Sequence, residues 1–379
     1  MLIGDPQRKP VLDDDILAYS VYEYGNGMVL YTYDTSSGEH TMLQRSDDNL
    51  KFAFSPDGRI AFSTGWIWQS DGELFIMDAS GPDQLPLNLS NEVNMVGYPL
   101  GWSADGNYLA FASVVDDRQQ AIYIWDGITA IEITPENTLG NPHSFDIAWS
   151  QDGRLAFTTW FGFTGDDPNP EIYIWDGETT FNLSQNPDAE DRAPIWNTNG
   201  EVAFGSIIDN DYILLLWDGT SYIDGSPDAS SFTRIAPQLD IFDPFSSWIN
   251  DDLLAFVAYE PGNSVTDIFT WDGEIWSNVS QKPNSWSYAP EWSPDGYWAF
   301  IDPDIPGINV RDENYDTVFQ TEGLQPAWSS GGSLAFCRRE NPGHWKLLLW
   351  DRATVSTLAE GQTILGQWRS GQTTSCTDG

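Results

Sequence analysis

Short apolar runs separated by polar turns recur along the whole chain, and a helical 3.6-residue period is nowhere sustained. The best copy of the pattern lies between Ala148 and Gly177. It opens on the turn Trp149-Ser-Gln-Asp-Gly153, continues through a strand centred on Leu155-Ala-Phe157, and ends on Ile172-Tyr-Ile-Trp-Asp176. Aromatic anchors precede the corresponding turns at Phe54, Trp102, Trp149, Trp196, Trp248, Trp292 and Trp328, with an eroded copy at Trp368. Asp-Gly or Asn-Gly at these turns supplies a residue that accepts positive φ. The middle strand has eight copies, from Leu17-Ala-Tyr19 and Ile60-Ala-Phe62 to Trp298-Ala-Phe300 and Leu334-Ala-Phe336. The third strand ends at Asp34, Asp78, Asp126, Asp176, Asp218, Asp272, Asp312 and Asp351, and several copies turn through Asp-Gly into a further strand.

Each unit thus predicts four short strands, with 36 to 52 residues between successive aromatic anchors. Repeats of that size and strand count read as blades of a β-propeller. The counts agree on an all-β, eight-bladed β-propeller of four-stranded antiparallel blades. It spans residues 11–376, between a short extension (1–10) and a tail (377–379). The poorest copy, Ile308-Asn-Val-Arg-Asp312, leaves seven blades as the alternative. The N-terminus enters at a second-type strand, Asp13 to Tyr19, with no aromatic turn ahead of it. The C-terminus finishes on a first-type strand and turn, Ile364 to Gly371, with no second strand expected after it. Ring closure follows: the C-terminal strand completes the N-terminal blade and removes exposed sheet edges.

These residues resemble the TolB-type, WD-like propeller repeat. The links between blades strengthen the likeness: Asn182-Leu-Ser-Gln-Asn-Pro187 leads to Ala193-Pro-Ile-Trp196, and Ser280-Gln-Lys-Pro-Asn-Ser285 leads to Ala289-Pro-Glu-Trp292. The resemblance implies a propeller and an extracytoplasmic setting, periplasmic or secreted; a native start at Met1 without a leader implies a cytoplasmic one. It does not imply one activity, because propellers host many. No α/β domain is expected before the propeller and no hydrolase domain after it. A Gly-x-Ser-x-Gly elbow is not found, which argues against serine hydrolysis.

Charge narrows the partners. The chain has 57 Asp plus Glu against 16 Lys plus Arg, a formal net charge of -41. Nucleic acids and anionic membrane surfaces are therefore disfavoured, whereas a cationic peptide or basic protein is allowed. No apolar run approaches the ~20 residues of a membrane span, so no direct membrane insertion is expected. Cys337 and Cys376 are too few for a disulfide framework. They are expected near opposite ends of their strands, which disfavours a bridge.

Candidate chemistry gathers on one face. The turns after strands one and three are tight and share a face; the loops between strands two and three share the other with the links between blades. That second face carries the insertion Thr158 to Pro170, with Trp160, Phe161 and Phe163 beside Asp166 and Asp167. Trp66, Trp68, Trp286, Tyr288 and Trp345 are assigned to the same face. Together they predict an acidic, aromatic rim able to hold a cationic group or stack a sugar; local packing over the blade tops is the plainer alternative. Asp166, Asp167, Asn169 and Glu171, and separately Asp209 and Asp211, offer oxygen ligands for Ca²⁺ but match no EF-hand spacing, so turn formation is preferred and no cofactor is expected. His40, His143 and His344 are scattered. The function expected is a non-enzymatic, monomeric binding propeller for a protein or peptide partner. The alternatives are a carbohydrate-active enzyme or lectin, and a sensor domain of a larger membrane-linked protein.

Overall fold

A computed structural model of the chain describes residues 16–23, 27–65, 72–79, 85–93, 95–116, 119–135, 146–159, 169–209, 211–219, 222–223, 226–227, 231–250, 252–260, 262–281, 286–302 and 307–377. Eight antiparallel sheets form the blades of a propeller. The inner strands of blades 1 to 7 are Leu50–Phe54, Gly97–Trp102, Ile147–Trp149, Glu190–Trp196, Asp240–Asn250, Tyr288–Trp292 and Leu324–Trp328. Ile364–Trp368 takes the corresponding position in blade 8, next to three strands from the N-terminus. One short helix, Leu89–Val93, occurs among the described residues.

The repeated sequence elements have distinct packing duties. In every blade the alanine of the middle strand is fully buried: Ala18, Ala61, Ala110, Ala156, Ala203, Ala255, Ala299 and Ala335. A small residue there allows neighbouring blades to approach. The anchors tie one blade to the next. The indole Nε1–H of Trp102 donates to the carbonyl of Ala53 (3.1 Å), and Trp149, Trp196, Trp328 and Trp368 donate likewise to Gly101, Ala148, Glu291 and Ala327. Each acceptor precedes the anchor of the preceding blade. Blade 1 has Phe54 as its anchor and no indole to give. There the Gln367 side chain crosses the closure and accepts the Phe54 backbone N–H at 2.8 Å.

The few cations reinforce the tight-turn face. Arg59 pairs with Asp57 at 2.8 Å while its guanidinium lies 4.4 Å from the Trp102 ring of the next blade. Arg154 repeats this with Asp152 and Trp196. The weakest sequence copy is a complete blade: Tyr288–Trp292, Trp298–Asp302, Gly307–Arg311 and Thr317–Thr321. Arg311 stands where other copies have Trp. It lies over Trp298 and Phe300 and donates to the carbonyls of Val279 and Ser280.

Closure occurs as expected, with Leu17 opposite Trp368 and Val21 opposite Ile364. Two expectations need correction. A second strand does follow the C-terminal one: Thr373–Cys376 pairs with Ile364–Trp368 as a fifth, innermost strand. Its sequence, Thr-Thr-Ser-Cys, carries none of the repeat's apolar signature. Backbone pairing and the Thr374 hydroxyl, which donates to the Gln325 carbonyl at 2.7 Å, hold it instead. This strand also explains the second correction, because Cys337 and Cys376 form a disulfide. The chain reverses after Trp368 and brings Cys376 back opposite Ile364, while Cys337 lies opposite Leu324 at the same end of blade 7. Their Cα atoms are 5.3 Å apart, within bridging range.

Three measurements check this arrangement. Replacing Cys376 by Ser should lower stability by about 2–4 kcal/mol in denaturant titration, because the bridge restrains a long unfolded loop. Trp102→Phe should cost about 1–2 kcal/mol in the same titration, since the ring remains but the Ala53 carbonyl loses its donor. Acid should destabilise through the turn aspartates. Backbone N–H groups of Thr129 and Ile128 hold the Asp126 carboxyl below its ordinary range, and those of Thr354 and Ala353 do so for Asp351. A depressed folded pKa stabilises above the unfolded value of about 4 and loses that contribution as pH falls through the folded value. The melting temperature should therefore drop between about pH 4 and pH 2, and less steeply in the Asp126→Asn, Asp351→Asn double variant.

Candidate functional site

The inner strands of blades 5, 6 and 7 are bulged, as are those of blades 2 and 4, and a cavity lies against the first three. Pairing with the second strand skips between Ile241 and Ser246, between Tyr288 and Glu291, and between Leu324 and Ala327. Ala289 and Gln325 sit at these bulges with φ of 52° and 53°, each just before a proline. Non-glycine residues seldom adopt that region, and such strain clusters at sites where side chains are re-aimed. Between the bulged strands lies a cavity of about 810 Å³, in the range of ligand-sized clefts.

The cavity has a graded lining. Phe242, Tyr288 and Leu324 lie at the starts of their strands, toward the loop-rich face, and are 38%, 38% and 39% exposed. Val257 and Ile301 form buried apolar wall. Ser247, Glu291 and Thr373 lie deeper, level with the conserved spacing of the middle-strand alanines: Ser247 opposes Ala255 and Glu291 opposes Ala299. Thr373 belongs to the fifth strand of blade 8, so the closure element also builds the cavity. Beside the mouth, Trp286 stands edge-on to Phe242 and to Tyr259, with both centroid distances 5.9 Å.

Glu291 is chemically distinctive. Burial pushes its carboxyl up to about 7. Its backbone carbonyl accepts the Trp328 indole, but no ion pair or side-chain hydrogen bond engages its carboxyl among the described residues. The equivalent position before the anchor is Ala53, Gly101, Ala148, Ile195, Ser247 and Ala327 in other blades, and Gln367 at the closure. Gln367 uses its polarity to close the ring; Glu291 has no such structural task. Asp191, a second buried carboxyl raised to about 6 by desolvation, sits in the inner strand of blade 4 and is not part of the cavity lining.

The residues expected from sequence are only partly brought together. Trp66, Trp68, Trp160, Phe161, Phe163, Asp166 and Asp167 lie outside the described residues, as does His143. Trp286 and Tyr288 are exposed at the cavity mouth, at 40% and 38%. Trp345 is not a rim residue. It is 4% exposed, packed in the interface of blades 7 and 8 with Tyr19 and Val21. The turn between Asn341 and His344 is tight, so Trp345 falls inside a strand rather than on a loop. Phe242, Tyr259 and Glu291 were missed. The available signal was a charged residue at a position that is small or apolar in most repeats.

Other polar candidates have local partners. Asn169 donates to the Pro187 carbonyl, and Glu171 accepts from Asn182. Asp209 occupies a turn position with φ of 53°. Among the described residues no group of three or more His, Cys, Asp or Glu is placed to hold a metal ion. His40 hydrogen-bonds the Tyr19 hydroxyl through Nδ1 at 2.8 Å, and His344 lies 3.8 Å from Glu360. No helix among the described residues is long and apolar enough to cross a membrane.

No protein-family model matches the sequence, and no curated protein matches it. Solved structures share its fold. The structure from a structural and mechanistic analysis of two prolyl endopeptidases aligns with a TM-score of 0.56 at 12% identity, over 95% of this chain and 54% of that one. Prolyl oligopeptidase B from Galerina marginata, bound to a 35mer hydrolysis and macrocyclization substrate, aligns with a TM-score of 0.54 at 11% identity, over 85% and 56%. TolB from Acinetobacter baumannii aligns at 16% identity over 70% and 64%, with a TM-score of 0.38. The chain therefore spans about half to two-thirds of the length of these proteins. At such identities the likeness is one of fold. The chain is an eight-bladed β-propeller of antiparallel blades, the architecture that its turns and anchors predict.

Proposed function

We propose that this propeller is a non-enzymatic binding module for a protein or peptide partner of basic character, held at the loop-rich mouth of the axial cavity. The observation that carries the reading is the conjunction of exposed Phe242, Trp286 and Tyr288 with a cavity reaching down to an acid that pairs with no cation among the described residues. Aromatic side chains supply contact area at low entropic cost and dominate the energetics of many interfaces. The charge of -41 adds a long-range attraction for a basic partner and speeds its approach. Neither nucleic acid nor an anionic bilayer fits that field.

The proposed compartment is extracytoplasmic, periplasmic or secreted. The buried Cys337–Cys376 bridge supports it, since such bonds persist where the medium is oxidising.

The test uses fluorescence anisotropy with a labelled dodecapeptide containing alternating Arg and Leu. Trp286→Ala and Tyr288→Ala should each weaken binding about tenfold, the scale of an interfacial anchor. Binding that survives both substitutions unchanged would place the partner elsewhere and remove the reading.

A further inference from the structure

We propose that Glu291 makes the axial cavity a pocket for one ammonium or guanidinium group on an aliphatic stem: a lysyl or arginyl side chain carried by a projecting peptide segment. This rests on the binding reading above and names the chemistry of its deepest contact.

The reasoning begins with the carboxylate. Moving an ionised carboxylate out of water is costly unless a cation or hydrogen-bond donors accompany it. Here no cation among the described residues pairs with it. Arg59, Arg154 and Arg352 are committed to Asp57, Asp152 and Asp295 on the tight-turn face. Lys346 lies between Glu340 and Glu360. Lys51, on the inner strand of blade 1, places its ammonium 4.2 Å from the Tyr98 ring centroid. Arg311 is held by backbone carbonyls between blades 5 and 6. Glu291 is left acidic, desolvated and facing a cavity. An incoming cation relieves the same penalty that a bound proton relieves.

The surroundings fit an amphipathic stem better than a compact ion. Val257, Ile301 and Leu324 provide apolar wall above the carboxylate, suited to methylene groups. Ser247 and Thr373 lie beside it as hydroxyl acceptors for the remaining N–H donors. A bare divalent metal would want several oxygen anions, and the cavity lining offers one carboxylate.

Depth sets the shape of the ligand. The bulge at Ala289 shortens the strand here: Tyr288 pairs with Ile301 and Glu291 with Ala299, so the two lie about two residues of strand rise apart, roughly 7 Å. A lysyl or arginyl stem spans that depth from a segment seated at the mouth, whereas a short side chain does not. A projecting chain terminus or loop tip seated at the mouth presents its backbone and neighbouring side chains to the exposed Tyr288 and Trp286.

The test uses acetylated, amidated pentapeptides of alanine with Lys, Arg, Gln or Glu at the centre. Affinities are measured by calorimetry at pH 8 on the full chain. Wild-type protein should bind the Lys and Arg peptides at least tenfold more tightly than the Gln peptide, and the Glu peptide least. Glu291→Gln should erase the preference of Lys and Arg over Gln while leaving the melting temperature equal or higher. Glu313→Gln, an exposed acid away from the cavity, should leave the preference intact and thereby exclude a general charge effect. A preference that persists in Glu291→Gln overturns the proposal. So does a wild-type protein that does not distinguish Lys or Arg from Gln. The two readings fail separately. Loss of binding in Trp286→Ala with an unchanged preference in Glu291→Gln keeps the rim and removes Glu291. The reverse pattern keeps Glu291 and removes the rim.

Discussion

The fold depends on a bond that five of the eight blades make to the one before, through Trp102, Trp149, Trp196, Trp328 and Trp368. A four-stranded blade is too small to bury both of its apolar faces, so it is stable only between neighbours. The tryptophan at the end of the inner strand does two things at that junction. Its ring fills the interface, and its N–H satisfies a carbonyl on the preceding blade, as Trp102 does for Ala53. The fully buried alanine of the middle strand keeps the interface close enough for this contact. Stacking arginines such as Arg154 over Trp196 add to it on the tight-turn side. The recurrent motif is thus a device for joining blades, and it takes seven of the chain's 19 tryptophans.

A ring built this way must also close. Blade 8 draws its two inner strands from the C-terminus and three strands from the N-terminus, so both ends of the described chain are needed for one sheet. Closure is secured at three levels: the strand pairing of Leu17 with Trp368, the Gln367 contact to blade 1, and the Cys337–Cys376 bond to blade 7. The fifth strand that carries Cys376 also places Thr373 against the axial cavity. The element that locks the ring therefore helps shape the proposed binding site.

What sequence shows and what it hides follow from this division of labour. Blade number, turn positions and closure were legible because interface packing demands the same residues eight times. Thr373–Cys376 was not, because an inner strand held by backbone hydrogen bonds requires no apolar alternation. The disulfide was missed for the same reason, since only that strand returns Cys376 to Cys337. Trp345 looked like a loop aromatic because the repeat template does not mark where a hairpin tightens. Glu291 was hidden in plain view between Pro290 and Trp292, read as part of a link motif. A single acid in an acidic chain carries no signal until the fold shows that the same position is small or apolar in most other blades.

Departures from the repeat are therefore the places to seek function. Gln367 departs to close the ring, and Arg311 departs to fill a missing tryptophan's place. Glu291 departs with no structural return, in a cavity whose lining includes the bulge residues Ala289 and Gln325. The most direct measurement is a pH titration of the Glu291 carboxyl by isotope-edited infrared spectroscopy, assigned with the Glu291→Gln variant, in the free protein and with a saturating arginine peptide. The account predicts a value of about 7 when free and a clear fall on binding, because a cation in the pocket favours the ionised form. An ordinary carboxyl value in the free protein, or one that the peptide leaves unmoved, would contradict it.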